Sequence, residues 1–182
     1  IIEKFYSQLF SLTSCTECDY ISSNFDPIMV LSLEIPRQAS HLQDCLSHYT
    51  KKNRLDKENQ WTCEKCKQVV QPYKKIMLWN TSDILIILLK RYTGLRKNSQ
   101  RIDYPLELNM SEYNINHSKK QTIYSLQGMC IHDGSLGGGH YYAICKNVLE
   151  NKWNIYNDTS VSSIDESDVS TYNPYCLFYK RN

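Results

Sequence analysis

Polar and apolar residues alternate through most of the second half of the chain. The stretch QTIYSLQGMCIHDG (121–134) alternates and ends at Gly134. GHYYAICKNV, KWNIYND and YCLFYKR continue what a period of two predicts to be a series of antiparallel strands. The run from Ile84 to Leu89 is apolar without a break between Asp83 and Lys90. It is too short and too β-branched for a helix, and its continuous apolarity predicts a buried central strand. A membrane span would need roughly 20 such residues.

The first half is patterned differently. FDPIMVLSLEIP (25–36) predicts a strand entered from a turn at Asp26-Pro27 and closed by Pro36. Ser40 is a candidate N-cap for a short amphipathic helix, because Leu42, Cys45, Leu46 and Tyr49 follow at helical spacing. A strand over 69–80 follows, and GLRKNSQ (94–100) is a polar loop. The fold class expected is α+β: a mainly antiparallel sheet over about 74–182 that carries an extension over about 11–73.

Cysteine spacing changes the picture of that extension. Cys15 and Cys18 form one C-x-x-C, and Cys63 and Cys66 form a second, with 44 residues between the pairs. Each such turn puts two sulfurs on one side of a tight bend, and two turns supply the four thiolates of a tetrahedral Zn²⁺ site. Two disulfides or four unrelated thiols are the alternatives. The N-terminal residues lack the layout of a secretory signal, which disfavours a disulfide framework. Four protein sulfurs leave no open position, so the zinc is expected to be structural. The remaining cysteines (Cys45, Cys130, Cys145, Cys176) stand alone, three of them in apolar runs.

Charge excludes one class of partner. The chain has 21 basic and 19 acidic residues, a net charge of +2. Affinity driven by phosphate neutralisation needs a larger and more clustered excess, so nucleic acid is not an expected partner. The pairs Lys51-Lys52 and Lys74-Lys75 are short solvated faces.

The segment GGGHYYAIC (137–145) holds the strongest candidate chemistry. Three glycines precede His140, and a second alternating run follows at 152–158. A hairpin centred between Val148 and Leu149 pairs Ile144 with Trp153, Tyr142 with Ile155 and His140 with Asn157. It also pairs Tyr141 with Tyr156 and Ala143 with Asn154 on the other face, where Cys145 lies too. An amide oxygen held against one ring nitrogen fixes the tautomer and leaves the other nitrogen to take a proton. Asp158, the next residue, is a second candidate orienter. His132 opens the glycine-rich loop and is a candidate contact for whatever passes there. His41, His48 and His117 are expected at the surface. The plainer alternative is a histidine at a strand start that only closes a loop.

Taken in order, these motifs resemble the ubiquitin-specific cysteine proteases over nearly the whole chain. SLTSCTECDYIS with FDPIMVLSLEIP resembles a first zinc knuckle and its following strand, and WTCEKCKQ a second knuckle. ILIILLKRY with RIDYPLELNMSEY resembles a strand and loop of the palm. LQGMCIHDGSLGGGHYYAICKN, WNIYNDTSV and YCLFYKR resemble the histidine box and closing strands. The resemblance implies part of a papain-like fold of thumb, palm and zinc-binding fingers. It also implies an intracellular setting and ubiquitin or ubiquitinated proteins as partners, with no membrane. It identifies His140 as general base, Asn157 as its orienter and Asp158 as the neighbouring acidic position. It places Tyr141, Gly138 and Gly139 along a channel for ubiquitin's C-terminal tail, under a flexible loop from 133 to 139.

One part of the family pattern is missing. The nucleophilic Cys of a G-N-T-C-Y box has no counterpart here, and neither does the side-chain oxyanion donor before it. The expectation is therefore the fingers-and-palm part of a deubiquitinating thiol protease, inactive alone, whose missing thumb segment supplies the nucleophile. The alternative is a catalytically inactive ubiquitin-binding or scaffold module of the same fold.

Overall fold

The computed structural model describes residues 2–94, 96–116, 122–135 and 137–182. His117 and position 136 of the glycine-rich loop lie outside the described residues. After a helical turn at Ile2–Phe5 the chain forms β1 (Ser7–Ser14), β2 (Ile21–Ile28) and β3 (Val30–Leu33). Helix α1 (Leu42–Thr50) follows, then β4 (Tyr73–Asn80) and β5 (Ile84–Leu89). The remaining long strands are β6 (Ile123–Ser135), β7 (Gly138–Asn147), β8 (Lys152–Asn157), β9 (Ser160–Ile164) and β10 (Cys176–Arg181).

The main sheet runs β9-β8-β7-β6-β10-β5-β3, and Glu107–Asn109 pairs with the start of β6. Every pairing in it is antiparallel except β3 with β5. β5 has the alternation expected of a strand with one covered face. Leu85, Ile87 and Leu89 are buried, while Ile84, Ile86 and Leu88 are only half-buried. The buried set packs with Leu31, Leu33, Met129, Ile144, Leu177 and Tyr179 in the principal core. α1 covers this face with Leu42, Cys45 and Leu46, beside Ile102, Tyr104 and Leu108 from the segment after β5. On the opposite face Phe178 stands 37% exposed beside Ile86, its partner across β10 and β5. No helix among the described residues is long and apolar enough to cross a membrane.

A second sheet, ordered β2-β1-β4 with Asn53–Arg54 at its far edge, projects from this core. β1 pairs along its length with β2 on one side and β4 on the other. Leu9 and Leu78 at its base belong to the principal core. The expected extension over 11–73 is therefore interrupted. β3 and α1 lie within that range but belong to the main sheet and principal core.

Three local expectations need correction. Asp26-Pro27 is not a turn: both lie within β2, Pro27 opposite Gln8. β2 is an edge strand, and half of its backbone nitrogens face away from β1, where a missing N–H costs no ladder bond. The strand over 69–80 is two pieces, Val69–Val70 and Tyr73–Asn80, divided at Gln71-Pro72. The N-cap of α1 is His41 rather than Ser40. The Asp44 carboxylate accepts from the backbone N–H of Ser40 and of His41, both at 2.9 Å, and so satisfies donors the helix leaves open.

Candidate functional site

The two C-x-x-C turns meet. Cys15–Cys18 lies in the connection between β1 and β2, and Cys63–Cys66 in the connection between Trp61–Thr62 and Val69–Val70. Lys67 takes φ +61° to complete the second turn, and its N–H donates to the Cys63 carbonyl at 2.9 Å. Cys15 and Cys66 sulfurs lie 3.8 Å apart and Cys18 and Cys63 sulfurs 3.6 Å apart. All four sulfurs fall within 4.8 Å of one another. A disulfide needs about 2.05 Å, so these are not bonded pairs. Tetrahedral coordination at a Zn–S distance of about 2.3 Å puts ligand sulfurs about 3.8 Å apart, and the Cys15–Cys66 and Cys18–Cys63 separations fit that edge. Tyr20 stacks on Trp61 with centroids 6.1 Å apart, and Val70 is buried beside the sulfurs. The two turns are also tied at their tips by Tyr20 to Glu64 at 2.6 Å and Lys65 to Asp19 at 2.5 Å. Donor chemistry and spacing together make the cluster a candidate structural zinc site.

The second centre lies in the main sheet, where β7 begins and β8 ends. His140 sits near the start of β7, opposite Asp133 of β6. Its Nε2 is 2.5 Å from Oδ1 of Asn157, the last residue of β8. An amide oxygen only accepts, so Nε2 is the donor here, and in the neutral imidazole Nδ1 is the nitrogen with the lone pair. Asp158 follows at the two-residue turn into β9 with φ +51°, and its Oδ2 is 3.8 Å from the same Nε2. His140, Asn157 and Asp158 are all exposed. The arrangement can accept a proton at Nδ1 and hold the resulting cation against an amide oxygen and a carboxylate.

The β7–β8 register differs from the expected one. Ile144 pairs with Ile155, Lys146 with Trp153, Ala143 with Tyr156 and Cys145 with Asn154. The hairpin is thus centred between Leu149 and Glu150, a shift of two positions along β8. A shift of two preserves which face each residue occupies. His140 therefore reaches Asn157 as a diagonal neighbour and not as a direct partner.

The other expected substrate contacts lie around an aromatic cluster beside the base. His132 is 9% exposed, and its Nδ1 is 2.5 Å from the Tyr92 hydroxyl. Tyr141, 51% exposed, packs on the His132 ring at 4.4 Å between centroids and near Tyr175 at 6.0 Å. A cavity of about 330 Å³ opens next to them, lined by Arg91, Lys97, His132, Asp133, Tyr142 and Tyr172 among others. The span 133–139 is not an open loop: Asp133 to Ser135 and Gly138 to Gly139 are paired strand residues. Gly138 has open space where a Cβ would stand, whereas a Cβ on Gly139 would run into the His132 ring and the Asp133 carbonyl. The fold itself therefore requires Gly139, and it places no such demand on Gly138.

Two residues here escaped the sequence. Arg91 is 2% exposed, and its partners are carbonyls and an amide rather than a carboxylate. Its guanidinium donates to the carbonyls of Pro174 at 2.7 Å, Asn98 at 3.2 Å and Gln100 at 2.8 Å, and to Asn173 Oδ1 at 2.5 Å. Burial lowers its pKa to about 10, still cationic at neutral pH. Lys97 lies in a short pairing of Arg96–Lys97 with Tyr92–Thr93, inside what the sequence presents as a polar loop. No alternation of two-residue strands is long enough to announce it.

Burial works against the thiolate form of all four lone cysteines. Burial pushes Cys45 and Cys176 up to about 11 and also raises Cys130 and Cys145. Cys45 lies within α1 and not at its start, where the helix dipole would favour a thiolate.

Comparison with known proteins agrees over the whole chain. The family profile described as ubiquitin carboxyl-terminal hydrolase matches residues 1–179. Ubiquitin carboxyl-terminal hydrolase 21 of Mus musculus is 33% identical over 190 residues, covering 99% of this chain and 33% of the relative. Ubiquitin carboxyl-terminal hydrolase 2 of Gallus gallus is 34% identical over 188 residues, covering 99% of this chain and 52% of the relative. Among solved structures, a chain of the SAGA Ubp8/Sgf11/Sus1/Sgf73 DUB module bound to ubiquitin aldehyde superposes with a TM-score of 0.86 at 30% identity. That match covers 99% of this chain and 42% of the other. The same module with a substituted Ubp8, bound to monoubiquitin, matches at a TM-score of 0.86 and 32% identity, covering 99% of this chain and 41% of the other. The chain spans about a third to a half of the length of these curated relatives. With the profile matching nearly every residue and the mostly antiparallel fold matching in space, the chain belongs to the ubiquitin carboxyl-terminal hydrolase family.

Proposed function

We propose that this chain supplies the general base, its orienting residue and much of the ubiquitin-holding surface of a thiol-dependent deubiquitinase. The observation that carries the reading is the 2.5 Å contact from His140 Nε2 to Asn157 Oδ1, which leaves Nδ1 as an exposed proton acceptor. In this reading Nδ1 takes the proton of a Cys thiol from outside these 182 residues. The thiolate attacks the carbonyl of ubiquitin's last glycine. His140 then protonates the departing lysine amine, leaving a thioester, and next deprotonates the water that hydrolyses it. Zinc would hold the finger hairpins together and take no part in these steps. The open space at Gly138, where a Cβ would stand, suits a channel for a tail that ends in two glycines.

The test is turnover of a ubiquitin C-terminal fluorophore by the full-length protein. His140→Ala is expected to abolish turnover while binding of ubiquitin itself changes less than about threefold, since general base catalysis contributes about 10²–10⁴ in rate. Wild-type turnover by His140→Ala would refute the assignment. A second reading is a ubiquitin-binding module of the same fold without catalysis, since no G-N-T-C-Y box stands in these residues. Covalent capture of the full-length protein by an electrophilic ubiquitin supports the enzyme. Tight but wholly reversible binding supports the module.

A further inference from the structure

The end of the sheet that carries His140 is held on one side only. β8 pairs with β7 from Ala143 to Asn147, so among the described residues the backbone at Gly138 to Tyr142 has only β6 paired beside it. β6 in turn loses its outer neighbour there, because β10 pairs with it only as far as Cys130. An unpaired strand edge leaves carbonyls that need other donors and a backbone free to shift.

Lys97 stands where that outer neighbour would be. Its ammonium donates to the carbonyl of His132 at 2.6 Å and to that of Gly134 at 2.9 Å, two successive carbonyls on one side of the strand. From the same short hairpin Tyr92 holds the His132 ring through Nδ1 at 2.5 Å. The ring is in turn the surface against which Gly139 lies, with no room for a Cβ between them. Gly139 precedes His140, so ring and backbone position are read directly by the residue carrying the imidazole. The hairpin is fixed at its base. The Asn98 N–H donates to the Arg91 carbonyl at 2.5 Å, and the buried Arg91 guanidinium grips the 173–174 segment.

We propose that Lys97 and Tyr92 are positioning residues for the His140 imidazole. Lys97 completes the open edge of the strand opposite it, and Tyr92 locks the His132 ring on which Gly139 rests. Both act through the backbone of β6 and β7 rather than on the imidazole itself. The proposal rests on the reading of His140 as the base.

The experiment uses the full-length protein with Tyr92→Phe, Lys97→Met and Lys97→Arg. It measures kcat and KM on a ubiquitin fluorophore, with competent enzyme counted by an electrophilic ubiquitin, and records the ¹⁵N signals of the His140 imidazole. Misplacing a reacting group by about 1 Å costs up to about 10²-fold in rate. Tyr92→Phe and Lys97→Met are expected to lower kcat about tenfold with KM within about twofold, and to shift or broaden the His140 signals. Lys97→Arg, which can still donate to two carbonyls, restores both. Unchanged kcat and unchanged imidazole signals in both variants would overturn the proposal. So would a rise in KM alone, which would make these residues substrate contacts. If His140→Ala keeps turnover, the base assignment falls by itself, and the imidazole signals still report whether the clamp positions the ring.

Discussion

His140 and Asn157 touch across the β7–β8 hairpin although the ladder does not place them opposite each other. The contact is diagonal, from near the start of one strand to the last residue of the next, and Asp158 stands 3.8 Å from the same nitrogen. Asn157 accepts the hydrogen bond, and the Asp158 carboxylate stands just beyond hydrogen-bond reach of the same N–H. Asn157→Ala in the full-length protein should lower kcat about tenfold or less, because Asp158 can take over. Asn157→Ala with Asp158→Ala should fall well beyond the product of the two single changes, as groups in one network are not additive. A double variant equal to that product would show that Asp158 does not share the role.

Gly138 and Gly139 make adjacent but opposite predictions. Gly139→Ala drives a methyl into the His132 ring and the Asp133 carbonyl, and should cost on the order of 1–3 kcal/mol in denaturant unfolding. Gly138→Ala meets open space and should leave stability within about 0.5 kcal/mol. If a glycine tail passes over Gly138, the same methyl should raise KM for ubiquitin substrates severalfold. An unchanged KM would remove Gly138 from the channel.

Metal content checks the knuckles. Purified under reducing conditions, the protein should carry one zinc per chain, and Cys63→Ser should lose it. Amide exchange should then become fast over 15–28 and 61–70. The amides of β6, β7 and β10 should still exchange only through global unfolding, because their partners lie in the main sheet. A zinc-free chain with protected knuckle amides would contradict the assignment.

Acid should release a specific contact beside the core. The Glu166 carboxylate accepts from Trp153 Nε1 at 3.1 Å and from Lys146 at 3.2 Å. These bonds, the Trp153 one foremost, hold its pKa below the ordinary glutamate value. A folded value below the unfolded one means that the contact's contribution is fully present above about pH 4.3 and is lost as pH falls through the folded value. Trp153 emission, read in a background with Trp61→Phe and Trp79→Phe, should change with a midpoint below about 4.3. Glu166→Gln should abolish that transition, and its persistence would assign it to another group.

Arg91 should matter to stability more than its charge suggests. Arg91→Met removes four hydrogen bonds from a buried guanidinium and leaves the buried Pro174 carbonyl without that donor, while the Gln100 carbonyl keeps only Asn173 Nδ2 at 3.3 Å. Unfolding should show a loss of about 3 kcal/mol or more. A loss under about 1 kcal/mol would mean that water replaces those donors.

Much of this was legible because local chemistry and tertiary contact coincide. C-x-x-C fixes two sulfurs whatever the rest of the chain does, and period-two alternation survives a shift of two residues, so the His140–Asn157 contact could be found through a mistaken register. The register itself was set by turn chemistry. The Asn147 side chain accepts from the N–H groups of Leu149 and Glu150, and Asn151 takes φ +52°, which moves the turn centre past Val148. β1 and the Arg91 contact to Pro174 depend on partners far along the chain, and the Tyr92–Lys97 hairpin is too short for a period to show.

The path of the chain through the second sheet has a mechanical consequence. The backbone runs out along β1, back along β2 into the main sheet, out again past Asn53–Arg54 and home along β4. β1 and β4 are bonded to each other from Gln8–Asn80 to Ser14–Tyr73, so paired strands and not a flexible linker join the knuckles to the core. The extension is therefore a cantilever and not a hinged arm. Eight residues of β1 at about 3.3 Å each set its reach at about 26 Å. Bending it would break ladder bonds, so the knuckles at its tip keep a fixed stand-off from the core and do not swing toward it.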